Sequence, residues 1–161
     1  MKLRTYRHSF DVPASLRTVA AFHQNAGSMA AITPPPIIVQ IHRAPRQIRE
    51  GDEMEFTLWL GPLPLRWLAR MENVSEHGFI DRQVRGPFAQ WTHKHTFISL
   101  GDHHTQVVDE VQAVCKNHPL WGLVGLSMWW GLPLLFAYRA WRTRRLLRPT
   151  SSSADKVGLG V

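Results

Sequence analysis

The chain has one cysteine, Cys115, in 161 residues. That excludes an internal disulfide and any multi-cysteine zinc or iron–sulfur centre, and it suits a reducing compartment. Acids are scarce as well: 12 Asp and Glu stand against 19 Lys and Arg, for a net charge of +7. The deficit is local. Arg139, Arg142, Arg144, Arg145 and Arg148 follow one another with no acid between them and supply most of the excess. The basic character therefore belongs to one terminal segment. No nucleic-acid motif accompanies it, so no nucleic-acid partner is expected. No internal repeat is visible. The polar, alternating start MKLRTYRHSFDV predicts no signal peptide and a cytoplasmic protein.

What is present is a hydrophobic content of 44%, enough for one core at this length, with seven tryptophans. Tryptophans in such number suit an apolar cavity or an interface. Residues 1–148 read as one domain. The small, polar run 149–161 reads as a flexible tail. Lys2 to Phe10 alternates as a first strand. Pro13-Ala14-Ser15 opens a helix with Ser15 as N-cap, and Asn25 to Ala31 forms a second, stopped by Pro34-Pro35-Pro36. Six strands follow, their apolar faces marked by Ile37, Val39 and Ile41, by Met54, Phe56 and Leu58, by Leu65, Trp67, Ala69 and Met71, and by Phe79, Asp81 and Gln83. Gly61-Pro62 and His77-Gly78 mark turns, and Gly86-Pro87 a break.

The last two strands carry the chemistry. Trp91, His93, His95 and Phe97 share one face, and so do Thr105, Val107, Asp109, Val111 and Ala113, because side chains on a strand repeat every two residues. The face with Trp, Phe and Val is the buried one, and it also carries two histidines and an aspartate. A three-residue loop, Gly101-Asp102-His103, would set His95 opposite Asp109, His93 opposite Val111 and Phe97 opposite Val107, keeping both inner faces in phase. An apolar wall with a few ionisable groups suits a ligand pocket. By strand phase its lining is Met54, Phe56, Trp67, Phe79, Asp81, Trp91, His93, His95, Phe97 and Asp109.

The pattern GPF…W.H.H.F (Gly86, Pro87, Phe88, Trp91, His93, His95, Phe97) with T.V.D.V (Thr105, Val107, Asp109, Val111) resembles the START-like, polyketide-cyclase/dehydrase superfamily (SRPBCC). The resemblance covers about residues 1–148. It implies an α+β helix-grip fold: a curved antiparallel sheet of about seven strands, two short helices after the first, and a long C-terminal helix over the sheet. It also implies a deep, mostly apolar cavity for a lipid, quinone or polyketide-like molecule, and leaves open whether any reaction occurs.

His93-x-His95 can present two nitrogens to a metal, and Asp81 and Asp109 could add carboxylates. No third histidine reads as inward-facing, so the expectation is a hydrogen-bonded polar cluster with no metal and no cofactor. That cluster either orients a ligand or, with His93, His95 and Asp109 as candidate catalytic groups, performs acid–base chemistry of a cyclase or dehydratase. Binding is the leading reading. Cys115 has no neighbouring base to activate it. The run Pro119–Tyr138 is apolar all round and of transmembrane length, but the sheet needs it as a cover. Trp129 and Trp130, adjacent on a helix, cannot share one stripe. The surplus surface is read as a peripheral membrane contact or a homodimer contact, and Gly131 and Pro133 predict a kink.

Overall fold

The computed structural model describes residues 2–149, so the expected tail lies outside the described residues apart from Pro149. Strand β1 (Arg4–Val12) leads into α1 (Leu16–His23) and α2 (Ser28–Ala31). Then come β2 (Ile38–Arg43), β3 (Glu53–Leu60), β4 (Leu63–Ser75), β5 (Gly78–Arg85), β6 (Phe88–Gly101), β7 (His104–Cys115) and α3 (Pro119–Leu146). The strands form one antiparallel sheet in the order β1-β7-β6-β5-β4-β3-β2. Tight turns join β3 through β7 as neighbours, and β1 closes the far side against β7. This is the α+β helix-grip arrangement, with α3 across the concave face.

Local chemistry accounts for the joints. Ser15 caps α1 by accepting from the Thr18 amide, and His118 Nδ1 accepts from the Trp121 amide at the start of α3. The β4–β5 turn needs Gly78, whose φ is +141° and where a Cβ would stand 2.0 Å from the His95 carbonyl oxygen. At the Gly86-Pro87 break the Gln83 amide accepts from the Phe88 N–H and donates to the Phe88 carbonyl, anchoring the first residue of β6.

Register between β6 and β7 places His95 opposite Asp109, His93 opposite Val111 and Phe97 opposite Val107. The loop differs from the expected three residues. Gly101 pairs with His104, leaving a two-residue tip, and an irregularity between Ser99 and Gly101 absorbs the odd residue. The bulge restores the phase that a bare two-residue loop would have lost.

The core lies between sheet and helix. Val124, Gly125, Leu132, Phe136, Ala140 and Thr143 form the buried stripe of α3. A Cβ at Gly125 would stand 3.4 Å from both Cys115 Sγ and Phe88, so the helix there lies close on the sheet. Trp129 packs edge-on against Tyr6 while Trp130 is 71% exposed, the split their adjacency requires. α3 continues as one helix through Gly131 and Pro133. It is long and apolar enough to cross a membrane by length and composition.

Candidate functional site

A cavity of about 290 Å³ opens between the sheet and α3. Its walls come from Met54, Phe56 and Leu58 on β3, Trp67, Ala69 and Met71 on β4, Trp91 on β6, and Met128, Leu132 and Leu135 on α3. These meet because strand residues two apart share a face, and helix residues three or four apart share a stripe. Phe56 stacks on Trp67 at 5.9 Å, and Trp91 meets Trp67 edge-on at 5.4 Å. Trp67 also carries a buried indole Nε1 with no hydrogen-bond partner among the described residues.

One end of the cavity is ionisable. Asp81 on β5 and His93 on β6 line it directly, and they are paired in the sheet register. His93 Nε2 is hydrogen-bonded to Asp109 Oδ1 at 3.0 Å, and His93 Nδ1 lies 3.2 Å from Asp81 Oδ2. His95 Nδ1 approaches Asp109 Oδ1 to 2.9 Å, yet makes no hydrogen bond, because the approach lies off the N–H direction. The His93 and His95 ring centroids are 3.9 Å apart, and Phe79 stacks on His95 at 4.2 Å. His93, His95 and Asp109 are all at most 5% exposed.

Burial sets the electrostatics of this cluster and the partners override it. Burial alone lowers the pKa of His93, but the bond to Asp109 and the adjacent Asp81 carboxylate outweigh it, so His93 is raised above the ordinary 6.5. Burial pushes both carboxylates up, yet the two imidazoles hold Asp81 and Asp109 well below the usual range. His23 moves the other way, to about 4, through burial and the adjacent His95, against its bond to the Val19 carbonyl and the pull of Asp109.

Of the ten residues marked by strand phase, Met54, Phe56, Trp67, Asp81, Trp91 and His93 line the cavity between the sheet and α3. Phe79 and His95 line an adjoining space of about 60 Å³, together with Asp81 and His23. Phe97 and Asp109 line neither and sit behind the wall, Phe97 at 1% exposure. The expectation of no third inward histidine is corrected twice. His8 on β1 sits directly opposite Asp109, its Nε2 buried without a partner among the described residues, and His23 on α1 lies 6.2 Å from His95 between ring centroids. His8 was legible from the alternation Tyr6, His8, Phe10, Val12. Arg139 lines both spaces although its sequence neighbours assign it to the terminal basic run. Its spacing of four and seven from Leu135 and Leu132 was the available signal.

No family model matches the sequence, and no curated protein matches it significantly. Solved structures do. The Zhui aromatase/cyclase from Streptomyces sp. R1128 aligns with TM-score 0.64 at 17% identity, covering 90% of this chain and 96% of its own. Norcoclaurine synthase from Thalictrum flavum, solved with dopamine and hydroxybenzaldehyde, gives 0.63 at 15% identity, covering 90% and 86%. A START superfamily protein from Mycobacterium smegmatis gives 0.62 at 14% identity, covering 88% and 98%. At these identities the likeness shows the fold. The chain has the helix-grip fold that the aromatase/cyclase, the synthase and the START superfamily protein share.

Proposed function

We propose that this protein binds a compact, ring-containing hydrophobic molecule bearing at least one oxygen, in the cavity between the sheet and α3. The observation that carries the reading is an apolar, aromatic-walled cavity that ends in the Asp81–His93 pair. Burial of rings against Phe56, Trp67 and Trp91 supplies affinity, and the ionisable end supplies orientation. The volume of about 290 Å³ stands at the small end of ligand pockets. It favours a quinone or polyketide-like aromatic over a two-chain lipid. Two fold neighbours, an aromatase/cyclase and a synthase solved with two aromatic compounds, support the same class.

Gly131 provides the test. It lines the cavity, is exposed, and a Cβ there meets nothing within 4 Å, so Gly131→Trp obstructs the opening without crowding the core. Native mass spectrometry of protein purified without detergent is expected to show a retained small molecule in wild type and its loss in the variant. Equal retention in both would remove the cavity from the reading.

A second reading makes the same site catalytic. It is favoured by His93 alone, which touches two carboxylates and still lines the cavity, as a general acid or base must. Conversion of the retained molecule by wild type but not by His93→Gln, with binding kept, selects the enzyme. Unchanged ligand in both selects binding.

The outer side of α3 supports peripheral membrane contact. Leu120, Leu123, Trp130, Leu134 and Trp141 form one exposed stripe, each at least 48% exposed. Arg145 and Arg148 are exposed at its end. Arg142 and Arg144 are partly committed elsewhere, donating from Nε to the Ala31 and Asp11 carbonyls. An apolar stripe ending in cations suits an anionic lipid surface.

A further inference from the structure

The ionisable end of the cavity is organised on two sides. On the buried side a single oxygen, Asp109 Oδ1, lies 3.0 Å from His93 Nε2 and 2.9 Å from His95 Nδ1. On the other side Asp81 Oδ2 lies 3.2 Å from His93 Nδ1 and 3.7 Å from His95 Nε2. Each imidazole thus turns one nitrogen toward each carboxylate. Hydrogen bonding does not explain this arrangement, since only His93 Nε2 and Asp109 Oδ1 are aligned as a hydrogen bond. His95 Nδ1 is buried with no hydrogen-bond partner among the described residues.

Metal coordination does explain it. Asp81, His93 and His95 each place one ligand atom within 4.8 Å of the other two. Atoms bound to a common zinc-sized ion at ~2.0–2.2 Å stand roughly 3.0–3.5 Å from one another. The Asp81–His93 spacing of 3.2 Å already matches, and the Asp81–His95 spacing of 3.7 Å lies just outside that range. Charge agrees with geometry. Two carboxylates face two imidazoles in contact, and a divalent ion between them offsets the paired negative charge.

We propose that Asp81, His93 and His95 bind a divalent first-row transition ion, with Asp109 as the outer carboxylate bonded to His93 and in contact with His95. Such outer carboxylates fix the tautomer and the ring angle of ligating histidines. Two histidines and one carboxylate leave further coordination positions open. Those positions face the cavities, because Asp81 and His93 line the larger and Asp81 and His95 the smaller. Resting on the cavity reading above, the inference also names the ligand chemistry. A phenolate or enolate oxygen completes the shell, and Arg139, which lines both spaces, favours an anionic donor there.

The test uses full-length protein stripped with a chelator, then titrated with Zn²⁺ and separately with Co²⁺. One equivalent is expected to bind, with Co²⁺ absorption bands of a nitrogen–oxygen site. Asp81→Asn and His95→Gln are each expected to weaken Zn²⁺ binding about 100-fold or more. Asp109→Asn is expected to weaken it about 10–100-fold with the ligand set retained. The exposed pair His103-His104 offers competing nitrogens, so replacing both by Asn must leave the binding intact. No bound equivalent in wild type, or Zn²⁺ binding indifferent to Asp81→Asn, overturns the inference. If a variant fails to fold, histidine side-chain ¹⁵N shifts of the wild type decide: Zn²⁺ must move His93 and His95 and leave His103 and His104 in place. Binding of 2-naphthol to the metal-free protein is measured in parallel. If it persists while Zn²⁺ does not bind, only the metal inference fails. If it is absent while Zn²⁺ binds, only the cavity reading fails.

Discussion

The inner face of the sheet has two halves that obey the same alternation and carry different chemistry. On β3 and β4 it presents Met54, Phe56, Trp67, Ala69 and Met71, with no charge among them. On β5 to β7 it presents Asp81, His93, His95 and Asp109. The first half gives volume and apolar area, a non-directional contribution that many ligands can use. The second gives direction and charge, and it costs stability unless every group is partnered. Specificity therefore belongs to the half that is harder to bury.

The largest contrast is expected in stability. Asp109→Ala leaves two buried imidazoles without their shared carboxylate and should cost about 3–5 kcal/mol, the cost of breaking a buried pair. Urea unfolding in chelator measures it, and a loss below about 1 kcal/mol would show that the cluster is not mutually compensated. In the apolar half, Met54→Ala should cost about 2–4 kcal/mol as a cavity-forming change. The enlarged pocket should nevertheless still bind 2-naphthol. If Met54→Ala abolishes binding while Asp81→Asn leaves it untouched, the two halves have been assigned the wrong roles.

A smaller effect follows pH. His23 titrates near 4 in the folded protein against 6.5 ordinarily, so the unfolded chain binds its proton first. Stability from His23 is then fully present above pH 6.5 and lost as pH falls toward 4. The groups that set it are His95 on β6, Asp109 on β7 and Arg139 on α3. His23 is half-buried rather than fully enclosed, which discounts the effect to about 1–2 kcal/mol. His93, raised instead, acts in the opposite sense, and its contribution is lost as pH rises through its folded value. Comparing wild type with His23→Gln isolates the first effect. Parallel stability curves between pH 6.5 and 4 would contradict it.

The smallest expected effect is on the outer face of α3. Each cation near an anionic bilayer contributes about 1 kcal/mol. Wild type should float with anionic vesicles at low salt, and Arg145→Gln with Arg148→Gln should weaken this in proportion. Protein that stays in solution and sediments as a dimer assigns the exposed stripe to a second copy instead.

The sheet was legible in the sequence because its signal is local. Trp67, Ala69, Met71, His93, His95 and Phe97 point inward by counting in twos, and the GPF break marks where β6 begins. Pairing His95 with Asp109 was legible too, since the phase of two faces must agree whatever the loop. What escaped were relations between distant elements. Nothing in β6 announces that His93, one pair further along, takes the aligned bond to Asp109, or that β1 returns to set His8 opposite the same aspartate. Phe97 and Asp109 share the inner phase of the lining residues, yet His23 of α1 packs on Phe97 and the His93 and His95 rings lie against Asp109. Arg139 was hidden by its neighbours, as a charge cluster in sequence scatters around a helix in space.

The account rests on a ligand entering the cavity rather than coating α3, and two tryptophans separate these outcomes. Trp67 lies 5% exposed in the cavity wall with its indole N–H unpartnered, and Trp130 stands 71% exposed on the outer stripe. The most direct measurement follows the tryptophan indole ¹H–¹⁵N resonances while 2-naphthol is added. The account predicts a saturable shift of the Trp67 Nε1–H, with Trp130 unmoved and the Trp67 shift lost in Gly131→Trp. A shift confined to Trp130, with Trp67 unchanged to saturation, would contradict it.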